Sequence, residues 1–482
     1  MLEASTHKYL KEFLKKNPSN WRHIYSFGRL IASFVRKKKN LLINSEIFLT
    51  EEWFPGILIT LFLCEENCKF VVPEYKLQFL FNEHLPLYKE LGFDFSVQNN
   101  QIIFSQHTII IQNLESLLDD YCQSNFEKQM IIFADVGSLK KDLKNILRIT
   151  FHKKDWFNYV DLYLREKNEL TKTYNLLKEK FFLRSFQNQR VMILNIDEAN
   201  LLKKVIKENC YRSDKLDKLN KAISSGWAFW INLDHDKFEW SLEVEPIDHF
   251  GEMNDLLSKN NMIFLSSLRR DNFLKKYLTK HEIKLTSSIS FDSSFIEKNI
   301  IIYIPSKLLL PNNPFFIKST IDICKKFSFL SKGVSIFLSN EISLKIKLAT
   351  ELASIYGQRV LLENYPKIDN QIVCASYEWW ISNLHLICPP DQIIIPLLPF
   401  PSMYEPINQK TISSLRSQSN NWFREFMFPE AFQEIDKAVS PLRKNSGKLL
   451  ILDGRISNRK WGKDMLKMIQ PQKVIPYMYP FD

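Results

Sequence analysis

The chain has 482 residues and is 45% hydrophobic, so it can form roughly two to four packed domains and is not of the disordered class. Its formal net charge of +11 suits a polyanionic partner such as nucleic acid, although an AT-rich genome also yields chains rich in Lys, Asn, Ile and Phe. Seven scattered cysteines predict reduced thiols in a cytoplasm, and the longest apolar run, at 54–64, is too short to span a bilayer. We therefore expect a cytoplasmic protein with no membrane partner.

Over the first 140 residues, short apolar strands alternate with helices, which predicts a parallel sheet covered by helices on both faces. The predicted strands are 40–44, 69–73, 101–112 and 129–135. Cys64 and Cys68 lie between two of these elements. We interpret them as two half-buried thiols at a turn, because no second cysteine pair lies near enough to complete a metal site.

The pattern then changes to long amphipathic, charged segments, and strands resume after residue 225. The predicted fold class is therefore α/β, with two parallel-sheet lobes and a helical insertion in the first. The predicted boundaries are 1–140 and 226–290 for the first lobe, 141–225 for the insertion and 291–482 for the second lobe.

The C-terminal third carries the most specific signals. In IIIPLLPFPSMYEPI (393–407) a strand runs into a Pro-rich loop, NWFREFMFPEA (421–431) follows, and the strand KLLILD (448–453) ends in the cation-rich GRISNRKWG. This order resembles the C-terminal lobe of superfamily 2 DNA helicases of the DinG/XPD type, cyanobacterial members most of all. The resemblance implies two RecA-like lobes with a nucleotide cleft between them and a groove for single-stranded DNA.

The motifs that drive such a motor are missing. A P-loop needs Gly-Lys-Ser or Gly-Lys-Thr to hold phosphate and magnesium, and neither occurs among the 11 glycines. The expected position, after LLIN, reads SEIFLTEEWFPG, whose carboxylates would repel a nucleotide. We therefore expect no cofactor. ATP and magnesium would be required only if the motor were active, and the iron–sulfur cysteines of many relatives are absent.

The acidic and arginine motifs are also reduced. Asp135 is the only carboxylate left at the acidic strand end and is out of register there. Asp197 and Glu198 imitate the family's acidic box, but the favourable placing of acids at a helix N-terminus explains them equally well. Where the family has its arginine motif, FQEIDKAVSPLRKNSG (432–447), the cations are Arg443 and Lys444.

The remaining candidates are cations or aromatic side chains that could contact nucleic acid, and residues that could shape the lobe cleft. The nucleic-acid candidates are Lys37, Lys38, Arg269, Arg270, Trp379, Arg443, Lys444, Arg455 and Arg459. The cleft candidates are Trp380, Pro399, Asp453 and Gly462. Each cation cluster is equally consistent with a solvated face, and the Trp pair with a core. We expect Asp453 to pair with Arg455 or Arg459 and brace the adjoining loop.

Three functional hypotheses follow. The first is a helicase-like protein that binds nucleic acid, single-stranded DNA above all, without ATP-driven unwinding. The second is an active ATP-dependent DNA helicase, which the family resemblance implies and the missing P-loop opposes. The third is a scaffold that binds a protein partner. No metal site is predicted.

Overall fold

The computed structural model describes residues 1–122, 128–157, 167–185, 190–209, 214–268, 272–291, 298–329, 332–384 and 386–475. The strands are β1 (Leu41–Asn44), β2 (Cys68–Val71), β3 (Ser96–Gln98), β4 (Gln101–Ile103), β5 (Thr108–Gln112), β6 (Met130–Phe133), β7 (Ile149–Phe151), β8 (Val191–Ile193), β9 (Ala228–Asp234), β10 (Glu239–Glu245), β11 (Asn261–Ser266), β12 (Ser287–Ser290), β13 (Ile300–Tyr303), β14 (Ser335–Leu338), β15 (Val360–Leu362), β16 (Ile372–Ala375), β17 (Gln392–Ile395), β18 (Lys448–Ile451) and β19 (Gln472–Ile475).

The α-helices are α1 (Leu2–Lys16), α2 (Ile24–Lys37), α3 (Phe54–Phe62), α4 (Glu74–Phe79), α5 (Leu85–Lys89), α6 (Leu114–Cys122), α7 (Leu139–Leu147), α8 (Lys153–Phe157), α9 (Lys167–Arg184), α10 (Ile196–Asn209), α11 (Asp214–Ser224), α12 (Asn254–Lys259), α13 (Asn272–Lys280), α14 (Phe316–Phe329), α15 (Ile342–Tyr356), α16 (Tyr377–Ser382), α17 (Pro406–Ser417), α18 (Phe428–Val439), α19 (Leu442–Asn445), α20 (Arg455–Asn458) and α21 (Lys460–Met468).

The first lobe is built on an eight-stranded sheet of order β12-β1-β11-β6-β2-β5-β4-β3. Its central strands are parallel and buried along their whole length, as their continuous apolar runs predict. The strands predicted at 101–112 form the antiparallel pair β4 and β5 at one side. Because β1, β2, β6 and β11 share this sheet, the predicted first parallel sheet is confirmed.

The second lobe holds a seven-stranded, wholly parallel sheet of order β15-β16-β14-β17-β18-β13-β19. Its strands are short, and β14, β16 and β17 are buried throughout. β18 lies between β17 and β13, so KLLILD is a central strand of this sheet. The predicted second parallel sheet is also confirmed.

The insertion differs from the prediction. Compact packing separates two units: Met1–Gly137, Ser258–Phe400 and Met427–Asp482 form one, while Ser138–Leu257 and Pro401–Phe426 form the other. The smaller unit has its own antiparallel sheet of order β7-β10-β9-β8. The strands β9 and β10, assigned by sequence to the remainder of the first lobe, therefore belong to the insertion instead.

The physical reason is that β9 and β10 form a local hairpin, paired from Ala228↔Glu245 to Asp234↔Glu239. A hairpin needs only a tight turn, whereas a parallel pair needs a crossover, so two strands close in sequence favour their own sheet. Their partners β7 and β8 have three residues each, too few to show a period in the sequence.

In the part of the chain that the structure describes, no helix is long and apolar enough to cross a membrane.

Candidate functional site: the cleft between the parallel-sheet lobes

The loop after β1 stands where a P-loop would lie, but it is built differently. The Ser45 hydroxyl accepts a hydrogen bond from the Ile47 N–H (3.4 Å) and begins a short 3₁₀ turn, Glu46–Leu49. Gly56, the loop's one glycine, serves helix packing, since a Cβ there would lie 2.7 Å from Cδ1 of Phe27. The sequence therefore folds this loop into a tight, self-bonded turn.

Lys76 on α4 fills the inside of this loop. Its ammonium donates to the carbonyl oxygens of Phe48 (2.9 Å) and Thr50 (3.0 Å) and lies 3.8 Å from the Glu51 carboxylate. The side chain is only 2% exposed, and burial lowers the pKa of Lys76 from its ordinary value, with the Glu51 charge opposing that shift. A P-loop presents N–H donors to an anion, whereas this loop presents carbonyl acceptors to its own lysine.

Arg443 on α19 of the second lobe reaches the same loop. Its guanidinium forms ion pairs with Glu46 and, at 2.7 Å, with Asp436, and its Nε donates to the Gln470 carbonyl at 2.8 Å. Arg443 has no exposed surface, and both carboxylates are less than a tenth exposed. A planar guanidinium suits this arrangement, because its fork binds two carboxylates and a carbonyl at once.

Asp135 forms a second bridge across the cleft. It lies at the carboxyl end of β6, where its Oδ1 accepts from the Ser267 hydroxyl (2.8 Å) and the Gly137 N–H (3.0 Å). Its other oxygen lies 3.6 Å from Nζ of Lys437 on α18, and both side chains are 7% exposed. The sheet thus places Asp135 at the cleft, beside Ser267 at the end of the neighbouring strand β11.

The cleft is therefore closed by the chain's own charges. Two cations of the second lobe, Arg443 and Lys437, meet carboxylates of the first. A cavity of about 450 Å³ remains beside the loop, and Glu46, Glu51 and Glu52 line it. The two ion pairs join the lobes across the cleft, and the cavity wall carries the cation Lys444 as well as these carboxylates. Among the described residues, no three His, Cys, Asp or Glu side chains are placed to hold a metal ion.

Asp453 braces the loop after β17, as expected. The carboxylate is fully buried, pairs with Arg455 (Nη2 to Oδ2, 2.6 Å; Nε to both oxygens, 3.0 Å) and accepts from the Leu398 N–H at 3.1 Å. The Arg455 guanidinium also lies 4.9 Å from the centroid of the Phe400 ring. The pairing predicted from the sequence is confirmed. Arg455 is therefore used in an internal ion pair with Asp453. Pro399 is buried in the loop that Asp453 supports.

The exposed cations of this region lie on the next helix, and they begin with Arg459 and Lys460, the last two cations of the cluster 455–460 that the sequence predicted. Arg459 caps α21, and Lys460, Lys463 and Lys467 follow at helical spacing, so the lysines share one face. All four side chains are exposed, and none forms an ion pair with another described residue. We call them the α21 basic face. The spacing of the lysines was the signal available in the sequence.

The first two of these cations stand at the amino end of α21, where the helix dipole disfavours positive charge. Folding alone therefore does not account for their position. Gly462 lies on the opposite, buried side of α21: a Cβ there would sit 1.8 Å from the Ile456 carbonyl oxygen. The close approach of α20 to α21 thus requires glycine at position 462.

The other nucleic-acid candidates are scattered. Lys37 and Lys38 are exposed at the amino end of β1, the edge opposite the cleft, and Lys38 pairs with Glu66 at 3.1 Å. Lys444 is exposed and lines the cavity. Arg269 and Arg270 lie outside the described residues.

The two tryptophans of α16 have different surroundings. Trp380 is fully buried, and its indole N–H donates to the Ala438 carbonyl at 2.8 Å. Trp379 is half-buried, with its ring centroid 5.6 Å from that of Tyr365. Trp380 thus belongs to the core, while Trp379 is partly accessible to solvent.

Asp197 and Glu198 lie at the start of α10, in the smaller unit. Glu198 accepts from the Asn195 N–H (2.9 Å), and its own N–H donates to the Asn195 side chain (2.8 Å). This reciprocal pair is a capping box. The helix N-terminus interpretation is confirmed for Glu198.

No protein-family profile matches the chain, and no curated protein matches it in sequence. Solved structures do match it. An XPD helicase gives a TM-score of 0.57 at 12% identity, covering 94% of this chain and 99% of the other. Xpd4 of S. tokodaii gives 0.59 at 13% identity, covering 94% and 100%. Together with the two parallel sheets, these likenesses show that the chain shares the two-lobed α/β fold of these XPD structures.

Proposed function

We propose that this protein binds nucleic acid, single-stranded DNA in particular, without coupling that binding to ATP. Its lobes are held by internal ion pairs where the resemblance implies a nucleotide in active relatives. No cofactor takes part in this function. Contact with the strand is made by cations that the fold leaves unpaired, with Trp379 available for stacking on a base.

The observation that carries the proposal is a contrast between two sets of cations. In the cleft, Lys76, Lys437 and Arg443 are buried against carboxylates or carbonyls of the chain itself. On α21, the basic face is exposed and unpaired among the described residues. Phosphates bind the second kind of cation, since counterion release there supplies affinity without the cost of breaking an internal pair. The position of two of these cations against the helix dipole supports the same conclusion.

The test is a salt titration by fluorescence anisotropy with a labelled single-stranded oligonucleotide. Four phosphate contacts predict a slope of log affinity against log salt of about −2.8. A triple variant, Lys460→Ala, Lys463→Ala and Lys467→Ala, leaves one of the four and should reduce that slope to about −0.7. Affinity for all sequences should fall alike, because phosphate contacts carry no sequence information.

The matched control removes the same charge elsewhere. Lys153, Lys221 and Lys237 are exposed lysines of the smaller unit, each paired with a carboxylate. Replacing these three by Ala should leave the slope unchanged. Equal losses in both triple variants would contradict the assignment to α21. Absence of binding even at low salt would contradict the nucleic-acid-binding function and favour the protein-scaffold hypothesis. ATP-dependent strand separation would instead favour the hypothesis of an active helicase.

A further inference from the structure

We propose that Cys64 and Cys68 form a redox-active dithiol, which closes to an intramolecular disulfide when a small-molecule disulfide of the glutathione class oxidises it. The two sulfur atoms lie 3.7 Å apart. A disulfide needs about 2.05 Å, so a movement of roughly 1.7 Å closes the bond. This inference is independent of the proposed nucleic-acid binding.

The turn between α3 and β2 brings the two residues together. Glu65 adopts a left-handed conformation (φ 53°), which reverses the chain directly after Cys64. The Asn67 side chain then accepts from the Thr108 N–H at 2.9 Å and ties the turn to β5. Cys68 is itself fixed in the sheet, paired with Ile109 on one side and Met130 on the other. The turn thus holds Cys64 beside Cys68, whose own position is fixed by the sheet.

The two thiols are unequal in a way that suits a two-step exchange. Cys64 is half-buried and can be reached from solvent, whereas Cys68 is 1% exposed. The hydrogen bond between the sulfurs lowers the pKa of Cys64, while that bond together with burial raises the pKa of Cys68.

The chemistry balances without any further reactant. The Cys64 thiolate attacks one sulfur of the oxidant, breaking its S–S bond and expelling one small thiolate, which takes up a proton. Cys68 then loses its proton, and its sulfur attacks Sγ of Cys64 to expel the second small thiol. Two protein thiols are oxidised to one disulfide, and one small-molecule disulfide is reduced to two thiols.

The test is peptide mapping of the full chain. The reduced protein is incubated with oxidised glutathione, remaining thiols are blocked with N-ethylmaleimide, and trypsin releases the fragment 40–69, which holds both cysteines. We expect this fragment to be two hydrogens lighter and unalkylated. The Cys68→Ser variant should retain glutathione on Cys64, and the Cys64→Ser variant should leave Cys68 without glutathione.

The other cysteines provide internal controls. Cys122 and Cys388 are exposed and should take up glutathione, which shows that the oxidant is active, while Cys324 and Cys374 are buried and should not react. A Cys122→Ser variant should not alter closure of the pair. The proposal is overturned if 40–69 carries two alkyl groups, or a persistent glutathione, in wild-type protein whose Cys122 has been glutathionylated.

Discussion

Replacing Arg443 by Met removes the guanidinium that joins α19 to the loop after β1 while keeping most of the side-chain volume. The change leaves the Glu46 and Asp436 carboxylates less than a tenth exposed and without this partner, and it removes a hydrogen bond to the Gln470 carbonyl. Breaking a buried ion pair from one side costs about 3 to 5 kcal/mol, because the surviving charges are then desolvated and uncompensated. We therefore expect Arg443→Met to lower the free energy of unfolding by about that amount.

The assay is urea denaturation followed by circular dichroism, with Arg36→Met as the matched control. Arg36 also makes a close carboxylate pair, with Glu3 at 2.6 Å, but its side chain is 43% exposed. The fall in the free energy of unfolding should be much smaller for Arg36→Met than for Arg443→Met, since solvent already screens the Arg36–Glu3 pair. If the carboxylates are the cause, adding Glu46→Gln and Asp436→Asn to Arg443→Met should recover part of the loss. Similar effects of Arg443→Met and Arg36→Met, or a loss below about 1 kcal/mol for the former, would refute this reasoning.

Two further predictions concern single residues. Burial lowers the pKa of His84 to about 4 from 6.5, so the unfolded chain binds its proton more tightly and stability is lost as the pH falls from about 6.5 toward 4. Between pH 7 and pH 5 the His84 pKa difference lowers the free energy of unfolding by about 2 kcal/mol. Urea titrations at the two pH values should show this loss in the wild-type protein and not in His84→Gln. The same pH dependence in both proteins would contradict the burial of a neutral imidazole. Gly462→Ala places a Cβ against the Ile456 carbonyl, so it should lower the free energy of unfolding by about 3 kcal/mol or more. It should also weaken oligonucleotide binding, because it disturbs α21. A variant with wild-type stability would show that the α20–α21 contact is looser than described.

The sequence was sufficient for the two parallel sheets, because most of their central strands contain a run of at least three apolar residues. β1, β6 and β18 could all be located in this way. It was insufficient for the smaller unit. Strands of three residues carry no readable period, and a hairpin such as β9–β10 reads the same whether it joins an existing sheet or forms another.

In the cleft, residue types were predictable but their partners were not. The carboxylates after β1 and the cation Arg443 could both be identified, yet their ion pair joins residues 397 positions apart. Such a contact depends on how the lobes pack, which no local pattern encodes. The Asp453–Arg455 pair was predictable because it is local, two residues apart at the end of a strand.

The sequence predicted only part of the α21 basic face. A dense run of cations stands out in a sequence, whereas Lys463 and Lys467 are separated by other residues and share a face only once the helix forms. The run at 455–460 contains Arg455, which the fold uses, and Arg459, which it leaves exposed. Only the structure separates cations with internal partners from those without.

The measurement that tests the central claim most directly is the affinity for a labelled single-stranded oligonucleotide at fixed low salt, with and without magnesium ATP. In the proposed function, the ion pairs Arg443–Glu46 and Lys437–Asp135 join the lobes in place of a nucleotide, so nucleotide should not alter the lobes. We predict that the strand binds and that ATP changes the dissociation constant less than about twofold, within the coupling below 1 kcal/mol expected of unlinked sites. A shift of tenfold or more, equivalent to about 1.4 kcal/mol of coupling, would contradict the account.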